Sequence, residues 1–384
     1  MSFSSLQLQL RTYGLLISLV AIMGFFQWQT EGALMQPLNL TNLVLQNSYV
    51  VVMALGMLLV IVTGHIDLSV GSVCGFIGGL AAVLLVECGW SVPAAVLTCL
   101  IAGALIGALQ GWFVAYARIP SFIVTLAGML IFKGSALALL HGQSVGPFPP
   151  SFQSISTGFL PDPLEGDDVR WLSWFMGCAF VAMTVSVMLW QRAKAQAHHM
   201  TVEPIGVFVM RLGVFSILVL SLCWLLASYK GLPNVLLLMA GLVLLYQFVT
   251  THTVVGRRIY ALGGNEKAAR LSGVNTERLT LLTFMNMGLL AAVAGLIFAA
   301  RLNTATPKAG LGFELDVIAA CFIGGASASG GVGKVLGAVI GAFIMGVMNN
   351  GMSILGIGID YQQVIKGAVL LGAVCLDVHN RHRP

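Results

Sequence analysis

The chain has 384 residues, 58% of them apolar and only 9% charged, with a formal net charge of +5 and a mean hydropathy of +0.93. Soluble domains carry about a quarter charged residues, so this balance excludes a water-soluble globular protein and calls for lipid over the apolar surface. The basic excess does not point to nucleic acid, because the cations mostly stand between apolar runs, where positive-inside topology places them.

With roughly 20 apolar residues as the length of a spanning helix, the sequence predicts an all-α, polytopic membrane helix bundle, one domain over residues 1–384. The first segment, Tyr13–Trp28, has no small-residue cleavage site behind it and reads as a retained span. Leu43–Thr63 follows, then the glycine-rich Leu68–Val86. Next come Val92–Tyr116, Phe122–Leu140, Trp171–Trp190, Val207–Ala227, Val235–Thr250 and Thr280–Ala300. The tenth segment, Val317–Ala328, is short, and Val335–Met352 and Val364–Val378 close the series. The third and tenth are open to being broken or re-entrant, which leaves ten to twelve crossings.

Orientation follows from Lys and Arg in the connections. With the amino terminus inside, the cytoplasmic side collects Arg11, Arg118, Arg192, Lys194, Arg211, five cations of the 253–279 stretch, Arg381 and Arg383. The other side receives Arg170, Lys230, Arg301 and Lys308, with the acidic Asp162, Glu165, Asp167 and Asp168. Both termini are therefore expected in the cytoplasm. The periplasmic connection 142–170 is rich in proline and acidic residues and reads as an ordered loop or short lid. No connection reaches the roughly 50 residues of a domain, so none holds a nucleotide-binding domain.

Catalytic patterns are missing. GGVGKVLG at Gly330–Gly337 fails the phosphate-loop pattern twice, with Ala328 at the first glycine and Val335 at the hydroxyl position. No Ser/His/Asp or zinc-ligand spacing occurs, and the seven cysteines include no CxxC pair and read as small hydrophobes. His198 and His199 read as solvated, and His65 as structural. No metal and no bound cofactor are expected. Among ionisable groups near spans, Asp67 is placed to cap the third helix with Ser69 in its first turn. Lys133, mid-span, is expected to point into the protein interior. Glu314 and Asp316 open the tenth segment and suit capping; its ELDVIAACFIGG echoes IDLSVGSVCGFIGG at Ile66–Gly79, a hint of an internal repeat.

The densest charge lies in Thr253–Leu279, TVVGRRIYALGGNEKAARLSGVNTERL. Gly263 and Gly264 end the preceding element, Asn265 suits an N-cap and Gly273 a C′ position. Glu266–Ser272 then forms about two helical turns, with Glu266 and Arg270 spaced for an ion pair, and Asn275 or Thr276 caps the next span. A helix so short must dock on something. Leu271 is its one large apolar residue, beside Ala268 and Ala269, which suits a protein groove better than a bilayer surface.

Four motifs together carry a resemblance: IDLSVGS at Ile66–Ser72, IPSFIVTLAGML at Ile119–Leu130, GRRIYALGGNEKAARLSGVN at Gly256–Asn275 and ELDVIAACFIGGASASGGVG at Glu314–Gly333. Over nearly its whole length the chain resembles the permease subunits of bacterial ABC importers for monosaccharides, the ribose, xylose and galactose group, and most resembles the xylose type. It departs from their pattern at His65, Lys133 and His141. The resemblance implies an inner-membrane homodimer with two cytoplasmic ATPase subunits, which bind the ATP and Mg, and a periplasmic sugar-binding protein. It implies a coupling helix around Gly264–Gly273, with Gly263, Gly264, Asn265, Glu266, Ala268, Ala269, Arg270 and Gly273 as ATPase-coupling residues. It also implies alternating access for a monosaccharide such as the pentose xylose. A neutral sugar asks for hydrogen bonds and aromatic faces, and Asn47, Asp67, Ser69, Phe122, Thr125, Asn286, Asn349 and Asn350, with Lys133, are expected along the path. The alternative is an ion-coupled secondary sugar transporter, for which only Asp67 and Asp316 offer acids.

Overall fold

The structure, a computed structural model, describes residues 3–162, 169–198 and 202–381. Glu165, Asp167, Asp168, His199 and Arg383 lie outside these residues.

The bundle is assembled around α2 (Pro37–Val62), and the sequence explains why. From Val50 to Val62 every residue is apolar and every one is buried. A helix that is hydrophobic all round has no face to offer water, so it takes the centre. Against it lies α12 (Thr276–Leu302), which also crosses α4 (Val92–Ala115). Gly103, Gly107 and Gly111 recur every four residues on one face of α4, and Gly288 answers them on α12. A Cβ on Gly107 would stand 2.2 Å from the Phe284 carbonyl oxygen, and one on Gly288 2.2 Å from that of Gly103. Small residues permit this approach where lipid supplies no hydrophobic drive between helices.

The other elements wrap this centre. At the amino end, α1 (Phe3–Gln29) packs on α14 (Val335–Ile354). The helix α3 (Val70–Ala82), prolonged by a π turn to Glu87, packs on α12 and on α5 (Ser121–Leu139). The connection after α5 carries α6 (Pro150–Thr157), a helix the sequence reading took for loop. Its Phe152 is fully buried, and the nearby Phe148 N–H donates to Asn303 Oδ1 at 2.8 Å. Then α7 (Trp171–Ala197) and α8 (Ile205–Ala227) form a hairpin at the periphery, and α9 (Asn234–His252) returns against α2. Two short helices, α10 (Val254–Gly264) and α11 (Glu266–Leu271), lead into α12. After α12 come α13 (Phe313–Ile323), α14 and α15 (Ile359–Arg381).

Among the described residues nine helices are long and apolar enough to cross a membrane. A helix underlies each of the twelve predicted segments, the tenth only as far as Ile323, and the two doubtful ones separate. With its π turn α3 reaches 18 residues and qualifies as a span. With 11 residues, α13 rises about 16 Å, half of a hydrocarbon core roughly 30 Å thick. The backbone that follows it, 324–334, is irregular. Ala326 and Ser327 are buried there, the protein cover that such backbone needs at membrane depth. At the end of this stretch the Gly331 N–H donates to the Val62 carbonyl at 2.8 Å. Counting helices alternately up and down, the α10–α11 pair shares one end of the bundle with the ends of α2, α4 and α7. Arg118, Arg192, Lys194, Arg211, Arg257 and Arg258 lie at this handle end, whereas Arg170, Lys230, Arg301 and Lys308 follow turns at the other.

Candidate functional site

The α10–α11 handle is built by three caps in succession. Thr253 Oγ1 accepts from the Gly256 N–H at 3.1 Å and starts α10. Asn265 Oδ1 accepts from the Ala268 N–H at 3.0 Å and starts α11, and Asn275 Oδ1 accepts from the Arg278 N–H at 2.8 Å and starts α12. Each satisfies an amide that a helix start leaves free. Gly273, at φ +82°, ends α11 as a C′ glycine does. The predicted Glu266–Arg270 pair does not form. Arg270 instead meets Glu277 and reaches Thr276 Oγ1 at 3.2 Å, because α11 stops after six residues and the turn at Gly273 brings the start of α12 alongside.

The handle is fixed to its own chain at few points. Ala269 is 5% exposed and Leu262 and Ile259 are buried, while Gly264, Asn265, Glu266, Ala268, Arg270 and Gly273 are exposed. Leu271 is 90% exposed. At Gly263 the backbones are so close that a Cβ would stand 1.6 Å from the Val62 carbonyl oxygen. Tyr260 Oη donates to the Gly333 carbonyl at 2.7 Å. The handle is thus joined to the end of α2 and to the irregular stretch that continues α13. Sequence reading took 330–337 for a tight membrane turn that fails the phosphate-loop pattern, and missed its contact with the handle.

Beside the handle opens a cleft of about 830 Å³, lined by His65, Arg118, Phe122, Glu266, Arg270 and Glu277 among others. Burial lowers the His65 pKa, and Glu266 opposes this by favouring the charged ring. Phe122, an expected path residue, is largely exposed at this cleft.

Three other expected path residues meet deeper in. Asp67 Oδ1 accepts from the Ser69 N–H and Oγ, both at 2.7 Å. Ser69 is itself the N-cap residue of α3, not part of its first turn. Gln110 of α4, which sequence reading passed over, donates from Nε2 to Ser69 Oγ at 2.9 Å. Thr125 Oγ1 donates to the carbonyl of Ser121 at 2.9 Å and lies 3.4 Å from that of Ile66. A Cβ on Gly128 would meet Gln110 Nε2 at 2.4 Å. So α3 starts several residues inside the ends of α4 and α5. Its first turn faces the approach to α13, since a Cβ on Gly71 would stand 2.3 Å from the Gly310 carbonyl oxygen and 2.5 Å from Glu314 Oε2.

The remaining expected path residues are dispersed. Asn47 donates to the Ala342 carbonyl at 2.8 Å and ties α2 to α14. Asn350 exchanges amide bonds with Asn39 at 2.9 and 3.1 Å. Asn286 accepts from Tyr246 Oη; its Nδ2 and Asn349 Oδ1 are buried without a hydrogen-bond partner. Lys133 is exposed on α5, contrary to the expected interior position, because that face of α5 has no cover within one chain. Asp316 does not cap α13 with its side chain. It holds Lys366 of α15 through both oxygens, at 3.0 and 3.1 Å.

The family described as "Branched-chain amino acid transport system / permease component" matches residues 39–374. The chain is 43% identical over 388 residues to the xylose transport system permease protein XylH of Escherichia coli, covering 99% of this chain and 95% of that one. It is 39% identical to the protein of the same name from Haemophilus influenzae, over 99% and 100% of the two chains. To the ribose import permease protein RbsC of Escherichia coli it is 37% identical over 341 residues, 88% of this chain and 85% of that one. No solved structure matches.

Proposed function

We propose a function from one premise: the chain belongs to the family of branched-chain amino acid transport system / permease components. It is a multi-pass membrane permease and not itself an enzyme. Within that family it serves as the membrane subunit of an ATP-driven importer for a pentose, xylose in the first place, by alternating access. Identity of 43% with a xylose permease along nearly the full length supports the sugar. ATP and Mg bind to separate ATPase subunits, and a periplasmic binding protein delivers the sugar. Two copies of the chain form the pore in the bacterial inner membrane. Both termini lie in the cytoplasm with the handle, where the cations gather as positive-inside topology requires.

The observation that carries this reading is the handle. A capped helix with one side chain in its own protein and Leu271 almost fully exposed is made to be gripped by another. Its attachments run to α2 and to the continuation of α13, so a pull on it reaches the middle of the bundle. Gly264 has open space where a Cβ would go, so a larger residue there disturbs the partner and not this chain. Joint replacement of Gly264 by Leu and Arg270 by Gln is expected to abolish sugar-stimulated ATP hydrolysis by the assembled complex. The binding protein should still hold its sugar. Stimulation at the normal level would remove the handle from the mechanism.

A further inference from the structure

The α7–α8 hairpin carries a site outside the transport reading. At the handle end of the bundle it brings two arginines to one glutamate, with a lysine on another face of α7. Arg192 and Lys194 lie in the last two turns of α7, Arg211 in the second turn of α8, and Glu203 in the connection. The guanidinium carbons of Arg192 and Arg211 stand 4.7 and 5.5 Å from the ring centre of the buried Phe208. Such stacking holds the planar groups in place and leaves their N–H edges to bind. Arg211 pairs with Glu203 at 2.7 Å, and Arg192 Nη1 donates to the Glu203 carbonyl at 2.9 Å. Lys194 Nζ lies over the Trp190 ring at 5.3 Å.

Two guanidinium charges against one carboxylate leave an excess of one, to which Lys194 adds at the same end of α7. A guanidinium has five N–H donors, and Arg192 and Arg211 each spend only part of theirs on Glu203. The surroundings are apolar and open: Trp190 is 63% and Ile205 64% exposed, and Val209 and Met210 are exposed beside them. At 27 residues, α7 is about 40 Å long, longer than a hydrocarbon core of roughly 30 Å. Its last turns therefore emerge at the level of lipid phosphates, where exposed tryptophan also belongs.

We propose that Arg192 and Arg211 bind the phosphate of an anionic phospholipid of the surrounding bilayer, with its acyl chains along Ile205 and Val209 of α8. The cation excess selects the anionic headgroup, and the apolar rim selects a lipid over a free anion.

The test uses the purified full chain and three probes: dihexanoyl phosphatidylglycerol, dihexanoyl phosphatidylcholine and inorganic phosphate. Binding is read by native mass spectrometry. Phosphatidylglycerol is expected to bind roughly tenfold tighter than phosphatidylcholine, one or two charge-assisted hydrogen bonds being enough. Inorganic phosphate at equal concentration should not displace it. The Arg192→Gln/Arg211→Gln variant should lose the preference. Glu203→Gln, which removes the competing carboxylate, should bind phosphatidylglycerol more tightly than the parent chain. Equal binding of the two lipids, displacement by inorganic phosphate, or a preference that survives the double variant would overturn the proposal. If the double variant does not fold, Glu203→Gln decides alone: affinity that fails to rise overturns it.

Discussion

Two neighbouring residues of α11 show how differently the handle treats its side chains. Ala269 is buried against its own chain and Leu271 is 90% exposed. Leu271→Asp is therefore expected to leave the thermal unfolding of the chain unchanged. It should weaken capture of the ATPase subunits by roughly tenfold or more, the loss of an interface anchor. Ala269→Leu should do the opposite, lowering stability by about 1–3 kcal/mol through overpacking. Side-by-side melting and pull-down of the two variants measures both. His65 belongs to the same region. Burial lowers its pKa below the ordinary 6.5, so the folded chain binds fewer protons there than the unfolded one. Stability from this group is present above the ordinary value and is lost as pH falls towards the folded value. The melting temperature of the wild type should fall as pH drops below the ordinary histidine value, and His65→Gln should flatten that fall. Asn265, Gly273 and Asn275 were readable in sequence because caps act locally. The partner of Arg270 was not, because it depended on the turn at Gly273 bringing Glu277 alongside.

At the scale of elements, the sequence yielded helices readily and their junctions poorly. Apolar runs located all twelve segments, since lipid forces backbone polar groups into helices wherever the chain crosses. The α6 helix escaped because eight residues with few apolar positions give no periodic signal, and Phe152 becomes a core residue only once α9 and α12 stand beside it. The contact of α4 with α12 was equally invisible, for glycines every four residues announce a close approach without naming the partner. Gly107→Leu is expected to force the two backbones apart and to abolish recovery of monodisperse protein, whereas Gly134→Leu, on α5 with open space around it, should be recovered normally. Size-exclusion chromatography after mild solubilisation distinguishes them. Full recovery of the Gly107 variant would contradict the packing described.

At the scale of the molecule, a close-packed centre of α2, α4 and α12 is joined through the irregular backbone after α13 to the handle. The first turn of α3 faces the approach to α13 inside the bundle, and the irregular continuation of α13 joins the handle at Gly331 and Gly333. The expected path residues were less legible than the class of protein. A sugar path is defined by which helices face a common space, and Asn47, Asn286 and Asn350 proved to lie in separate contacts between helices. Gln110, in contrast, joined Asp67 and Ser69 through a contact that no spacing foretold. The residues themselves carried a charged, capped helix suited to a protein partner and no connection long enough for a nucleotide domain; the ATPase subunits came from the family resemblance, which those two features fit. The most direct measurement is uptake of labelled xylose into proteoliposomes holding this chain, with and without its ATPase subunits and binding protein. The account predicts uptake only with all components and ATP at the ATPase face, and strongly reduced uptake with the Leu271→Asp chain. Uptake by the chain alone, driven by a proton gradient and indifferent to ATP, would contradict it.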